Sequence, residues 1–223
     1  MILQALNTGS AHALNVNGRE IQTGIFKESV IASLELGLLG LMNDVQVNRK
    51  YHGGPDKAVC AYACEHYGFW TTVLERELLG QELPAGSFGE NFTLSGLLED
   101  EVHIGDVFKV GTARLQISQP RQPCGTLAAR FGLPNFVKQV VDSGMTGWYF
   151  RVLEPGSVRA GDRLELLSRG EVSVRTANQV MHHKNTPREE IKNLLAQPAL
   201  SQAWRDQLEN RLNVSANQNK ESV

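Results

Sequence analysis

The feature that most constrains this chain is a change of period along its length. Up to about Ser168 the apolar residues come in short alternating runs. From about Thr176 they come at helical spacing. Segments Val30 to Leu36, Ala58 to Ala63, Phe92 to Leu94, Ala113 to Ile117, Gly147 to Leu153 and Arg163 to Leu167 read as strands. Asn17-Gly18 is a hairpin signal, and Gly37 to Gly40 is a turn-rich connection. Many short strands with few helices between them predict a mainly β fold, a closed or nearly closed barrel. Helices are expected over Cys64 to Leu79, with Tyr67, Trp70, Leu74 and Leu78 in one stripe, over Thr126 to Phe131, and over Pro134 to Val141, ending near Gly144.

The second part reads as a three-helix appendage. A first helix is expected around Ala177 to Lys184. Thr186 with Glu189 has the form of a capping box, with Pro187 at the first helical position. Ile191, Leu194 and Leu195 give that helix its apolar face, and Leu200, Trp204, Leu208 and Leu212 give the next helix its own. The resulting division is 1–168 for the barrel, 172–215 for the helices and 216–223 for a frayed polar tail.

Charge and composition exclude some classes of function. Lys and Arg number 22 against 24 Asp and Glu, a net charge of −2, so wholesale nucleic-acid binding is not expected. No stretch approaches a membrane span, and Met1-Ile2-Leu3-Gln4 lacks the basic flank of a signal peptide. Three cysteines, an odd count, cannot form a full disulfide framework. A reducing cytoplasm is the expected location.

Chemistry concentrates in four stretches. Ser118-Gln119-Pro120-Arg121-Gln122-Pro123-Cys124-Gly125-Thr126 places Cys124 where a strand gives way to a helix. A helix N-terminus and the nearby Arg121 both favour a thiolate, the form that attacks substrates or ligates metals. The alternative is a buried structural thiol. Arg49 to Lys57 combines cations, His52 and a Gly53-Gly54-Pro55 turn that lets backbone amides approach a ligand such as phosphate, without Walker spacing. In the loop ending Gly89-Glu90-Asn91, the two polar side chains either bond a ligand or satisfy their own turn. Lys27 shares an extended face with Ile25 and Ser29, pointing either inward or to solvent. Cys60 and Cys64 read as core or near-core thiols, His66 as a helix-surface residue, and His182-His183 as no metal site.

Gly24-Ile25-Phe26-Lys27, His52-Gly53-Gly54-Pro55-Asp56-Lys57, Phe88-Gly89-Glu90-Asn91 and Ser118-Gln119-Pro120-Arg121-Gln122-Pro123-Cys124 occur in this order. Together they resemble the MOSC family, named for the C-terminal domain of molybdenum cofactor sulfurase, and its YiiM-like branch with a three-helix tail. The resemblance implies a MOSC-type β-barrel that binds molybdenum cofactor, a phosphate-bearing pterin dithiolene. It implies reduction of N-hydroxylated compounds, including N-hydroxylated purine base analogues, with Cys124 as the molybdenum ligand. Electrons would come from an external donor such as a flavoprotein reductase. His52 is then the natural general acid. Lys27, His52 and Cys124 are expected to converge in one pocket, with the role of Lys27 open between orienting His52, stabilising the thiolate and binding the anionic cofactor. The expected cofactor-binding set is Arg49, Lys50, Gly53, Gly54, Asp56, Lys57, Glu90, Asn91, Arg121 and Arg130. Two alternatives stand beside this reading: a sulfur carrier with a persulfide on Cys124, and a cofactor carrier or insertion module without turnover. The absence of a pyridoxal-phosphate desulfurase domain in 223 residues weakens the first. No nucleic acid or membrane partner is expected. The oligomeric state stays open, a homodimer being one candidate.

Overall fold

The computed structural model describes residues 1–48, 52–75, 79–183 and 185–220, with side chains described as far as residue 213. The expectations for Arg49, Lys50, Leu78 and Lys184 lie outside the described residues. The strands are β1 (Ile2–Thr8), β2 (His12–Val16), β3 (Arg19–Thr23), β4 (Glu28–Val30), β5 (Leu34–Gly37), β6 (Gly40–Leu41), β7 (Val59–Ala63), β8 (Phe92–Ser95), β9 (Val107–Val110), β10 (Ala113–Pro120), β11 (Trp148–Glu154), β12 (Gly156–Val158) and β13 (Leu164–Ser168). The helices are α1 (Tyr67–Val73), α2 (Gly125–Arg130), α3 (Phe136–Ser143), α4 (Val174–His182), α5 (Arg188–Leu195) and α6 (Gln202–Lys220).

An eight-stranded sheet in the order β13-β9-β10-β11-β7-β8-β1-β4 forms the body. Its neighbours are antiparallel except for the parallel pair β7 and β8. The sheet curls into a half-barrel that brings β1 against the turn before β13: the Leu3 amide donates to the Asp162 carbonyl at 2.9 Å, and the Gly161 amide to the Leu3 carbonyl at 2.8 Å. Two small sheets, β12-β5-β6 and the hairpin β2-β3, flank it. The hairpin turns on Asn17 and Gly18, both at positive φ, as its two-residue loop requires.

Alternation along each strand decides what faces the core and what faces the site. Val59 and Ala61 of β7 join the barrel core, opposite Phe150 and Trp148 of β11. Cys60 and Tyr62 point the other way. Tyr62 stacks on Phe88 at 4.3 Å in a second apolar cluster with Trp70, Leu127, Phe136 and Val140, which seats α1, α2 and α3. Leu115 and Ile117 of β10 are core residues. The strand runs on through Pro120, three residues beyond the expected end at Ile117. A bulge between Ile117 and Gln119 re-aims its last residues towards the loop that carries Cys124.

Other expectations are corrected. Val30 to Leu36 is split between β4 of the large sheet and β5 of a small one. The helix expected from Cys64 begins as a 3-10 turn, Cys64–His66, which leads into α1; residues 76–78, near its expected end, lie outside the described residues. His66 is buried, its Nε2 bonded at 2.7 Å to the buried Glu99 carboxylate, because the 3-10 turn directs it inward. α4 starts earlier than expected, with the Ser173 hydroxyl accepting from the Thr176 amide at 3.1 Å. The capping box does not form: the Thr186 hydroxyl donates to the Val180 and His183 carbonyls, and Pro187 is itself the N-cap of α5. The backbone of α6 is helical to Lys220, into the tail expected to fray from residue 216.

The expected three-helix appendage is present, and it packs closely on the barrel. Val174, Ala177, Val180, Ile191, Leu194, Leu200, Trp204 and Leu208 share one buried cluster with Leu115, Ile117, Trp148 and Phe150 of the barrel. Their apolar faces complete a core that the open side of the half-barrel would otherwise expose. Among the described residues, no helix is long and apolar enough to cross a membrane.

Candidate functional site

A cavity of about 440 Å³ opens beside the ends of β3, β7, β10 and β11. Its wall includes Lys27, Asp44, His52, Lys57, Cys60, Asn91, Arg121, Cys124 and Tyr149. The three residues expected to converge, Lys27, His52 and Cys124, all line it.

Cys124 is the N-cap of α2, extended at φ −129° and ψ 168°. Its carbonyl accepts from the Leu127 amide at 3.0 Å, so the helix begins at the thiol itself. Burial pushes the thiol pKa up. A hydrogen bond from His52, the charges of His52 and Arg121, and the Leu127 amide together outweigh burial and bring it down to about 6. The side chain is therefore largely thiolate at neutral pH. Arg121 is buried; burial disfavours its charge, but Cys60, Tyr149, Cys124 and Glu90 around it hold its pKa above the ordinary value. Lys57 is pushed down by burial, with the adjacent Asp56 opposing that shift.

Two further acidic groups face the Arg121 side of the cavity, and both are held in their neutral form. The Cys60 thiol, looking inward from β7, is raised to about 11 by burial. Tyr149 is likewise raised by burial and hydrogen-bonds Cys60. The cavity thus holds two chemically different thiols, one prepared to ionise and one kept protonated.

Lys27 points inward. Its side chain is 6% exposed and pairs with the Asp44 carboxylate, which is 2% exposed. Asp44 also accepts from the Gly9 amide and from Asn91 Nδ2, each at 2.9 Å. A buried ion pair needs such extra donors to offset the loss of hydration. Asn91 is a three-way tie. Its Oδ1 accepts from the Cys60 amide at 3.1 Å, and its Nδ2 reaches Asp44 and, at 3.3 Å, the Asn7 carbonyl. Gly86, at φ 85°, lets its loop lie against the Lys27 backbone; a Cβ there would come within 2.9 Å of the Lys27 carbonyl.

Among the described residues, five of the expected cofactor-binding set do not line the cavity. Glu90 is fully buried, and its carboxylate is occupied by the Gly86 amide at 2.7 Å, the Phe88 amide at 3.0 Å, the Thr93 hydroxyl at 2.8 Å and the Tyr67 hydroxyl. It organises its own loop. Arg130 donates to the Ile25 carbonyl and, at 3.2 Å, to the Gly86 carbonyl, and sits over the Phe26 ring at 5.0 Å. It stitches two wall segments together. Asp56 turns away towards Arg151, and Gly53 and Gly54 shape the turn without reaching the wall. Lys57, Asn91 and Arg121 do line it. Asp44, Tyr149 and the inward direction of Cys60 escaped the sequence reading. Only the alternation of β7, which separates Cys60 from Val59 and Ala61, carried a signal for any of them.

Among the described residues no three His, Cys, Asp or Glu side chains are grouped to hold a metal ion. The donor set is one soft thiolate amid buried cations. That suits a metal that arrives inside an anionic chelate.

The chain matches the MOSC domain over residues 48–165 and the YiiM-like 3-alpha helix domain over residues 172–214. It is 45% identical over 203 residues to the uncharacterized protein YflK of Bacillus subtilis, covering 90% of each chain. The crystal structure of YiiM from Geobacillus stearothermophilus superposes with a TM-score of 0.78 at 36% identity, over 95% of this chain and 98% of that one. A protein named reductase from Gibberella moniliformis is 33% identical over 153 residues, 68% of this chain and 27% of that longer one. From its barrel, its helical tail and these relatives, the chain belongs to the MOSC family, in the YiiM-like branch.

Proposed function

We propose that this protein is a molybdenum-cofactor-dependent reductase of N-hydroxylated compounds, N-hydroxylated purine base analogues among them, with Cys124 as the molybdenum ligand. The observation that carries the reading is the Cys124 thiol, brought down to about 6 beside His52 and Arg121 in a cavity large enough for a small organic ligand. The name of the reductase relative favours the same class. Bound cofactor would supply the redox centre at which the N–O bond is cleaved. The reaction takes up two electrons and two protons and turns N–OH into N–H and water. The electrons come from an external donor such as a flavoprotein reductase, and the setting is cytoplasmic.

The chain's own residues have distinct tasks in this reading. Arg121 and Lys57 face the cavity as cations and balance the charge of the thiolate and of an anionic cofactor. His52, bonded to Cys124, gives a proton to the departing oxygen, the role an imidazole fills best near neutral pH. Lys27 is held by Asp44, so its ammonium is a fixed donor in the wall. Asn91 ties that pair to β7. Cys60 and Tyr149 stay protonated and offer hydrogen bonds without competing for the metal.

The test is metal analysis of protein purified from a host that makes the cofactor, followed by turnover of an N-hydroxylated base with an artificial electron donor. Stoichiometric molybdenum and turnover are expected, both lost in Cys124→Ser. Molybdenum without turnover would leave a cofactor carrier. Protein without molybdenum but with a persulfide mass on Cys124 would leave a sulfur carrier.

A further inference from the structure

The helical tail meets the cavity segments at one place, and Asp56 is at its centre. Asp56 lies in the 3-10 turn Pro55–Lys57, beside Lys57 and four residues after His52. Its Oδ1 accepts from Arg151 of β11, at 3.0 Å from Nε and 2.6 Å from Nη2. Arg151 is itself held by Gln116 Oε1 at 3.0 Å. Asp56 Oδ2 accepts from the main-chain amide of Gln202, the first residue of α6, at 3.1 Å. The Asp56 carbonyl accepts from the Ser118 hydroxyl of β10. One residue earlier in the tail, the Ser201 amide donates to the Ser118 carbonyl at 2.9 Å, and the Ser201 hydroxyl donates to Gln119 Oε1 at 2.7 Å. Ser201 and Gln202 therefore fasten two segments at once. One carries His52 and Lys57; the other leads through Arg121 to Cys124. The start of a 19-residue helix favours an anion, so the Asp56 carboxylate answers both the guanidinium and the helix end.

We propose that Asp56 is a positioning residue through which the C-terminal helices clamp the His52–Lys57 turn against the strand leading to Cys124. The tail is thus part of the framework of the site, and the turn keeps its place only while α6 is docked. The proposal rests on this cavity being the reaction site and is independent of which cofactor fills it.

The test compares Asp56→Asn, Gln202→Pro and Gln202→Ala in the full chain without turnover. Two amides report on the turn: His52, which donates to the Asn48 carbonyl at 2.9 Å, and Lys57, which donates to Gly54 at 3.0 Å. Asp56→Asn should speed their hydrogen exchange about tenfold, the effect of losing hydrogen bonds to a partly exposed charge. Exchange in β9 and β13 should not change. Gln202→Pro removes the donating amide, at a helix position where proline fits, together with a side chain that donates to Asp206 Oδ1 and that Gln202→Ala also removes; it should speed the same two amides about threefold. Gln202→Ala keeps that amide and should match the wild type. The ring NMR signal of His52, assigned by its loss in His52→Gln, should move in the first two variants and stay in the third. Unchanged exchange and ring signal in Asp56→Asn would overturn the proposal, as would faster exchange spread evenly over β9 and β13. Gln202→Pro behaving like Gln202→Ala would remove the tail from the clamp. A protein found to hold no molybdenum leaves these readouts intact, so the two failures are distinguishable.

Discussion

Cys124 is the side chain whose chemistry the fold changes most, and its reactivity can be worked out in advance. With a thiol pKa of about 6 in place of an ordinary 9.0, the thiolate fraction at pH 7 is ~90% against ~1%. Lower basicity also weakens the nucleophile: a Brønsted slope of about 0.4–0.5 over that thousand-fold change in acidity costs ~20-fold in intrinsic rate. The net gain in alkylation rate at pH 7 is then only about fourfold, while at pH 6 it grows to about twentyfold. The rate at one pH is therefore a poor signature, and the midpoint is a good one. The assay is iodoacetamide labelling of cofactor-free protein across pH, followed at the Cys124 peptide by mass spectrometry. Labelling should rise through a midpoint near 6 and level off above it, while buried Cys60, raised to about 11, stays unlabelled until strongly alkaline pH. His52→Ala removes the foremost contribution favouring the thiolate and should move the midpoint upwards. A wild-type midpoint near 9, or one that His52→Ala leaves in place, would refute this account of the site.

Stability gives further tests. Because the Cys124 thiol pKa is lower in the folded chain than in the unfolded one, the unfolded state binds its proton between about pH 6 and 9 and the folded state does not. Its contribution therefore rises with pH across that window and is lost as pH falls through about 6; Cys124→Ser should remove that part of the slope in urea unfolding. Glu90→Gln puts an amide where a buried carboxylate accepts from two backbone amides and two hydroxyls, and should cost about 2–3 kcal/mol in the same assay. An unchanged midpoint would remove Glu90 as the anchor of its loop. Trp204→Ala deletes a fully buried ring from the shared core and should cost about 3–5 kcal/mol. Barrel and helices should still unfold in one transition; two separated transitions would make the tail an independent unit.

Much of this protein was legible locally. The Asn17-Gly18 turn, the end of α3 at Gly144 in the left-handed region, the strand-to-helix junction at Cys124 and the switch to helical period all depend on neighbouring residues. So does the ordered set of short motifs by which the family resemblance was recognised. The motif stretches bring Lys27, His52, Lys57, Asn91, Arg121 and Cys124 to one cavity. Within the motifs, however, sequence did not separate residues that face the cavity from residues that hold the walls. Glu90 and Arg130 carry the right charges for ligand binding and spend them on backbone groups. Asp56 spends its charge on Arg151, 95 residues away, and on an amide 146 residues away.

Sequence alone determined the class of fold and the thiol at the helix start, because periodicity, turn chemistry and helix capping act over a few residues; the family followed from the resemblance of four ordered motifs. Tertiary structure decided that Lys27 points inward to Asp44, that Cys60 and Tyr149 share a cavity with Cys124, and that the helical tail completes the barrel core and grips the site. Those outcomes depend on which buried polar groups find partners across long loops. A buried charge is tolerated only where distant donors converge on it, and that convergence exists only once the chain has folded.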